Sequence, residues 1–353
     1  MGGRLQCVGN ADQLGLITIP HRGESIPAPC GATRFSPLRG DKILAPMGLA
    51  NPRPPPQVAT QVTVSLMQSQ TDQFAMIPDA GDLNAIDRQI GFVESIADDP
   101  KRLSPRDIER FNRDGYLGPL DAFDSPTAQS TRAYFDELLN RTQAAGGDAY
   151  SISSAHLQYG PVWDLLNHPA IVDYVVDLLG PDVVGWGAHF FCKLPHDDRC
   201  VDWHQDCIFW PLTPTRSVTV WLAIDDADEH NGCMEVLLGS HRHGMIDYEA
   251  SGDGDANVLN QTIRDPHQWG THHQTPIRAG QISIHSDLLV HGSPANPSDR
   301  RRCGLTLRYC PADVEAYLGW NRKGVVVRGR ADAVKWPNRS RPDADLPGAG
   351  HGS

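Results

Sequence analysis

No run in this chain approaches the roughly 18 consecutive apolar residues that a membrane-spanning helix needs. The opening Met1-Gly2-Gly3-Arg4-Leu5-Gln6-Cys7 contains no apolar core of signal-peptide length, and Gln6 stands where a myristoylation motif requires Ser or Thr. The expectation is a soluble, cytoplasmic protein. Positive charge is scarce: 31 Lys+Arg face 43 Asp+Glu, for a formal net charge of −12. That balance argues against broad electrostatic binding to nucleic acid or to acidic membrane surfaces, and leaves small-molecule ligands open. None of the eight cysteines (Cys7, Cys30, Cys192, Cys200, Cys207, Cys233, Cys303, Cys310) belongs to a Cys-x-x-Cys unit. Reduced thiols are therefore expected in preference to disulfides or a zinc-thiolate site. A Gly-x-Gly-x-x-Gly or Walker-type loop is missing, as is a nucleophile elbow, so the sequence offers nothing for a bound nucleotide or an activated serine.

What is present suits a globular fold. Hydrophobic residues make up 40% and charged residues 21% of the 353 positions, enough apolar material for a sizeable core. Prolines crowd the first part of the chain, including Pro52-Arg53-Pro54-Pro55-Pro56, and no periodicity persists there. Residues 1–75 are expected to be a poorly ordered Pro-rich extension, or the product of an upstream start with Met76 near a truer beginning. A single domain is expected over 76–330, followed by a C-terminal tail over 331–353.

Order is predicted to begin near Leu103. Ser104 suits an N-cap, Pro105 the first helical position and Asp107 the positive end of the helix dipole, while Ile108 and Phe111 share a face. That helix should end near Asp114-Gly115. A second is predicted over Thr127–Ala145, and a third pattern over Pro161–Leu179 that His168-Pro169 should break in two. From Val183 onward the pattern changes to short strands: Val183–Lys193, Trp203–Trp210, Ser217–Ile224, Cys233–Leu238, Gln281–Ile284, Leu288–Gly292 and Cys303–Cys310. Helices first and many strands after predict a β-sandwich or jelly roll with helices packed outside one sheet.

The most informative stretch is Val201-Asp202-Trp203-His204-Gln205-Asp206. In a strand, residues two apart point to the same face, so His204 and Asp206 can present an imidazole and a carboxylate to one point. A second histidine would complete a 2-His-1-carboxylate triad, which holds iron(II) on one face and leaves other positions open. His291 is the best candidate, because Leu288-Leu289-Val290 would deliver it on an apolar strand and Gly292-Ser293-Pro294 then turns the chain. By itself a His-x-Asp triplet is a weak signal, since a chain with 15 His produces such triplets by chance. Arg302 strengthens it. A guanidinium fixed in a barrel interior needs an anion, and the far carboxylate of a dicarboxylic cosubstrate would supply one. The bland alternative is that Arg300, Arg301 and Arg302 all face solvent or pair with acids.

Taken in order, Trp203-His204-Gln205-Asp206, Trp221-Leu222-Ala223-Ile224, Asn231-Gly232 through Gly239-Ser240-His241, His291-Gly292-Ser293 and Arg302 resemble the phytanoyl-CoA dioxygenase family of iron(II)- and 2-oxoglutarate-dependent oxygenases. Asp107 through Leu117 is also similar to that family's first helix. The resemblance covers 103–320, and its flavour is that of the bacterial branch that includes 2-aminoethylphosphonate hydroxylases. It implies a mainly β fold with flanking helices, built on a double-stranded β-helix (jelly-roll, cupin-like) core. It implies iron(II) bound by His204, Asp206 and His291, 2-oxoglutarate held by Arg302 with Trp221, Ser293 and His189 beside it, and dioxygen as the third reactant. Leu238 departs from the family's usual proline, which should affect a turn only. Halogenating members replace the metal carboxylate by a small residue; Asp206 is retained, so the implied reaction is hydroxylation of a small molecule, with release of succinate and carbon dioxide.

Other groups compete for attention. His285-Ser286-Asp287 repeats the His-x-Asp form but fits the Arg302 interval less well than His291. His241-Arg242-His243 and His272-His273 lie in polar, turn-rich segments and should be exposed. Asp225-Asp226-Ala227-Asp228-Glu229 lacks the spacing of an EF-hand loop and reads as a solvated loop. Lys193 either lines the pocket and attracts an anionic substrate group or marks an exposed strand end. Trp203, Phe209, Trp210 and Phe190 either wall the site or fill the core. Two further readings stand beside the oxygenase: a non-catalytic jelly roll that binds a metal or ligand, and a zinc hydrolase, which gives Arg302 no purpose.

Overall fold

The computed structural model describes residues 78–348, except 97–98, 252–255 and 260. The expected extension over 1–75 lies outside the described residues. Among the described residues five α-helices lie ahead of the main run of strands: α1 (Ala80–Asn84), α2 (Pro105–Asp114), α3 (Ser125–Ala144), α4 (Gly160–Leu166) and α5 (Pro169–Leu179). In α2 the Ser104 hydroxyl accepts from the Asp107 amide while the Asp107 carboxylate accepts from the Ser104 amide, and Gly115 closes the helix at φ 74°. This is the reciprocal capping that Ser104-Pro105-Arg106-Asp107 predicts. The break at His168-Pro169 also occurs, with His168 Nδ1 accepting from the Ala170 amide at the start of α5.

Two antiparallel sheets carry most of the rest, beside two small two-stranded ones. Their strands are β1 (Tyr116–Asp121), β2 (Ser151–Ile152), β3 (Val183–Lys193), β4 (Val201–His204), β5 (Val218–Ala223), β6 (Glu235–Leu238), β7 (Thr271–Gln274), β8 (Gln281–Ser286), β9 (His291–Ser293), β10 (Arg302–Pro311) and β11 (Val325–Arg328). The larger sheet runs β1-β8-β5-β10-β3-β11 with β2 attached to β3, and the smaller runs β7-β6-β9-β4. This mainly β, jelly-roll arrangement is the expected architecture.

Alternation on the larger sheet separates two chemistries. Ala188, Phe190 and Cys192 of β3, Leu305, Leu307 and Tyr309 of β10, and Val220 and Leu222 of β5 face outward into one apolar cluster. There they meet Phe135 and Leu138 of α3, Val162 and Leu166 of α4, and Ile171 and Val175 of α5. The residues between them are His189 and Phe191, Arg302, Thr306 and Arg308, and Thr219 and Trp221, and they face inward. Registers line these into rows: His285, Thr219, Arg308 and Gly187 in one, Ser283, Trp221, Thr306 and His189 in the next. Phe190 thus belongs to the helix-facing core, 4.8 Å from the Phe135 ring, and does not wall the site.

Two strand expectations need correction. The predicted Trp203–Trp210 strand stops at His204, and Asp206–Phe209 form a 3-10 turn. Gln205 explains the stop. Its side-chain amide donates to the Gly244 and Leu288 carbonyls and accepts from the Ile246 amide, which bends the chain into the interior. Leu288-Leu289-Val290 forms a buried turn ahead of a short β9, because apolar runs fill buried turns as readily as strands. Strands β1, β2, β7 and β11 were not anticipated. The C-terminal stretch is packed against the body: the Trp336 indole is 1% exposed and donates to the Val314 carbonyl at 3.0 Å, and Arg341 holds Asp164 with both arms at 2.9 Å.

Phe135→Ala should cost about 3–5 kcal/mol, as truncation of a fully buried aromatic does, and denaturant unfolding will measure it; a loss below about 1 kcal/mol would contradict this account of the α3 contact.

Candidate active site

His204 ends β4 and His291 begins β9, and the two are direct cross-strand partners with ring centroids 4.2 Å apart. Each ring is oriented from behind. His204 Nδ1 lies 2.8 Å from the Asp202 carbonyl and His291 Nδ1 lies 2.9 Å from the Leu289 carbonyl, so each donates there and leaves Nε2 as the free lone pair. Asp206, turned inward by the 3-10 turn, brings Oδ1 to 4.0 Å from His204 Nε2. One ligand atom from each of His204, Asp206 and His291 lies within 4.8 Å of the others, and the described residues hold no second cluster of this kind. The expected trio therefore comes together, although a bend and not the strand period aims Asp206.

Burial and charge set the protonation that such a cluster needs. Burial holds the His204 and His291 imidazoles below their ordinary range, reinforced at His291 by the neighbouring His204 and His285. Burial opposes the charge on Asp206, but the hydrogen-bonding His285 ring, the neighbouring His291 and the Arg308 guanidinium outweigh that, and the carboxyl is held well below the usual range. Two neutral imidazoles and an ionised carboxylate are the donor set of a divalent metal. The second carboxylate oxygen is supported too: the Thr219 hydroxyl donates to Asp206 Oδ2 at 2.9 Å, and His285 Nε2 lies 3.6 Å from the same atom.

The cluster opens onto a cavity of about 690 Å³, which Arg302, Trp221, Ser293 and His189 also line. The three consecutive arginines have different fates. Arg300 pairs with Asp228 and Arg301 with Asp225 and Asp136, while Arg302, 3% exposed, has no carboxylate within ion-pair distance among the described residues. Its Nε is buried without a hydrogen-bond partner, and its guanidinium lies 5.0 Å over the Trp221 ring. Gly304 permits that arrangement, since a Cβ there would sit 2.0 Å from the Trp221 ring. A buried guanidinium left unpaired is the receptor for a carboxylate. Ser293 is held by Lys193 Nζ, which donates to its hydroxyl at 2.8 Å and to the Pro294 carbonyl. His189 is stacked on Phe191, and its ring nitrogens meet Ser151 and Ser153.

Several expectations change here. Lys193 is fully buried and committed to the Ser293 turn, so it neither lines the cavity nor ends an exposed strand. Trp210 and Phe209 line the cavity, while Trp203 packs outside it against Leu237, Ile246, Ile263 and Val290. His241 is buried beneath Phe92 and its Nε2 meets the Asn112 carbonyl at 3.1 Å. Asp225 is buried against Arg301 and Arg132, so the acidic loop is an internal ion-pair network at that residue. Cys192, Cys200, Cys207, Cys233, Cys303 and Cys310 are free thiols. Thr219, Arg308 and Lys323 were missed as cavity residues; for the first two the signal was present, because both sit on the polar parity of an otherwise apolar strand.

Comparison with known proteins points one way. The family described as Phytanoyl-CoA dioxygenase (PhyH) matches residues 111–304. A probable alpha-ketoglutarate-dependent hypophosphite dioxygenase of Stutzerimonas stutzeri is 28% identical over 188 residues, 51% of this chain and 65% of that protein. The peroxisomal phytanoyl-CoA dioxygenase of Bos taurus is 25% identical over 150 residues, 41% of this chain and 44% of its own. The chain thus spans less than two thirds of the length of these curated relatives. Among solved structures, the non-heme monooxygenase ThoJ superposes with a TM-score of 0.58 at 27% identity, covering 67% of this chain and 88% of that one. EctD from S. alaskensis, solved with 2-oxoglutarate and 5-hydroxyectoine, shares the fold at a TM-score of 0.56 and 19% identity, covering 72% of this chain and 95% of its own.

Thr219→Val should weaken binding of a divalent metal by roughly 10- to 100-fold, the usual cost of losing an outer hydrogen bond to a metal ligand. Anaerobic calorimetric titration with iron(II) or manganese(II) reads this out, and an unchanged affinity would separate Thr219 from the cluster.

Proposed function

Because the chain belongs to the phytanoyl-CoA dioxygenase family, we propose that it is an iron(II)- and 2-oxoglutarate-dependent oxygenase that hydroxylates a C–H bond of a small molecule. The observation that carries this reading is the pairing, on one cavity, of the His204, Asp206 and His291 cluster with the unpartnered guanidinium of Arg302. A metal-binding protein without catalysis has no need of both, and a hydrolase has no use for the second.

When bound, iron(II) supplies the reduction of dioxygen, coupled to decarboxylation of 2-oxoglutarate to succinate and carbon dioxide. The chain's own residues do the rest. His204 and His291 offer Nε2 because backbone carbonyls occupy their Nδ1 protons, and Asp206 offers a carboxylate oxygen while Thr219 occupies the other. Arg302 takes the remote carboxylate of the cosubstrate, and the Trp221 ring under its guanidinium keeps that arm from turning away. Ser293, fixed by Lys193, presents a hydroxyl oxygen beside the same region. The aromatic wall of Trp186, Phe209 and Trp210 excludes water from the place where a C–H bond is to be oxidised.

Anaerobic addition of iron(II) and 2-oxoglutarate should produce the visible charge-transfer band of the chelate, and a protein that stays colourless would overturn the reading. His291→Ala should abolish both the band and substrate-dependent succinate release while retaining cooperative unfolding; undiminished turnover removes His291 from the site. Arg302→Ala should raise the KM for 2-oxoglutarate about tenfold or more, the consequence of a lost charge-assisted pair of about 1.5–3 kcal/mol, with little effect on iron affinity. Equal losses toward metal and cosubstrate would refute the assignment of Arg302.

A further inference from the structure

Arg302 is not the only buried donor in this cavity whose acceptor is missing. Tyr150 lies just ahead of β2, 4% exposed; it lines the same cavity, and its hydroxyl is buried without a hydrogen-bond partner. Its main chain is fixed on both sides: the amide donates to Asp148 Oδ1 at 3.0 Å, and the carbonyl accepts from the Cys192 amide at 2.8 Å. That second bond seats Tyr150 at the end of the β2–β3 ladder, and β3 is the strand that pairs on its other side with β10, where Arg302 stands first. The ring is held as well. Phe191 meets it edge-on at 5.9 Å, and the Arg199 guanidinium lies 4.5 Å over it. Arg199 is itself locked by Asp197, Nε to Oδ1 at 2.8 Å and Nη2 to Oδ2 at 2.7 Å.

We propose that Tyr150 is a second cosubstrate-binding residue, whose hydroxyl donates to the same remote carboxylate that Arg302 receives, with Arg199 holding the phenol ring in place. This deepens the oxygenase reading and rests on it for the identity of the cosubstrate, while the two-donor subsite rests on the orphaned groups themselves.

Three observations support it. First, hydrogen-bond demand: an ionised carboxylate offers about four lone-pair sites, and a guanidinium fork fills only one side of it. In a buried site the protein must supply the rest. Second, protonation. Burial pushes the Tyr150 hydroxyl up to about 12, with Arg302 the strongest charge acting against that, so at neutral pH the group keeps its proton and is a donor. Burial likewise holds Arg302 below its ordinary range, and Tyr150 is the group that most opposes this, so the phenol oxygen and the guanidinium share one electrostatic neighbourhood. Two donors brought together with no acceptor are satisfied at once by an anion. Third, the cost of the vacancy: a buried hydroxyl left unpaired costs about 1–3 kcal/mol, and the contacts with Phe191 and Arg199 keep this ring from swinging out to water.

The test uses the full chain loaded with iron(II) without oxygen, titrated with 2-oxoglutarate and with 2-oxopentanoate, which has the same chain length and chelating end but a methyl group in place of the remote carboxylate. Calorimetry and the chelate band read both affinities. Tyr150→Phe keeps the ring and its two contacts. It should weaken 2-oxoglutarate about tenfold, with the affinities for 2-oxopentanoate and for iron(II) those of the wild type. An unchanged affinity for 2-oxoglutarate would overturn the proposal, and so would equal losses toward both oxoacids, which mark a structural role. Should Tyr150→Phe fail to fold by circular dichroism, Tyr150→Leu and Tyr150→His decide: the first should lose the preference for the diacid, and the second, which retains a ring donor, should keep part of it. If the wild type forms no chelate band while 2-oxoglutarate binding still depends on Tyr150, the oxygenase reading falls and the carboxylate subsite stands. If the band forms and Tyr150→Phe binds as the wild type does, the subsite falls and the oxygenase reading stands.

Discussion

The pairing of His291 with His204 across β9 and β4 is the contact on which the rest of the site depends. Side chains alternate along a strand, so a slip of one residue in that register would send one imidazole to the opposite face of the small sheet. The neighbouring chain is built to prevent it. Gln205 binds three backbone groups from two other segments, and the buried turn Leu288-Leu289-Val290 is held by the Ser240 hydroxyl at the Val290 amide. Only with that register in place do the carbonyls of Asp202 and Leu289 orient both rings alike.

Around this contact the interior is organised by charge. The large sheet has a greasy outer face under three helices and an inner face that carries Arg302 and Arg308. Solvation is poor there, so each inward cation requires a partner. Arg301, one position from Arg302, turns the other way and is satisfied by Asp225 and Asp136. Arg302 and Arg308 stay inside on one face of one strand, with no carboxylate within ion-pair distance among the described residues, and Arg308 is in register with Thr219, whose hydroxyl donates to Asp206.

Much of this was legible in residue order. The Ser104 cap, the His168-Pro169 break, the full extent of β3, and the jelly-roll class all follow from local patterns that short-range physics enforces. His204, Asp206, His291 and Arg302 could be singled out by the His-x-Asp triplet, by the turn after His291, and by a charge within an apolar strand. Readings failed where local pattern and tertiary context disagreed. An apolar triplet before His291 reads as strand and is a buried turn, Lys193 reads as either a pocket residue or an exposed strand end and is a buried brace, and His241 reads as surface and is core.

Sequence by itself determined the donor chemistry and the parity: which side chains can ligate a metal, and that Arg302 and Arg308 share a strand face. Only the tertiary structure decided which histidine pairs with His204, and which arginines are left without an acid. The reason is physical: ion pairing and metal binding act over a few ångströms between groups that chain order separates widely, as Asp136 and Arg301 are, and only the packed sheets and helices set those distances.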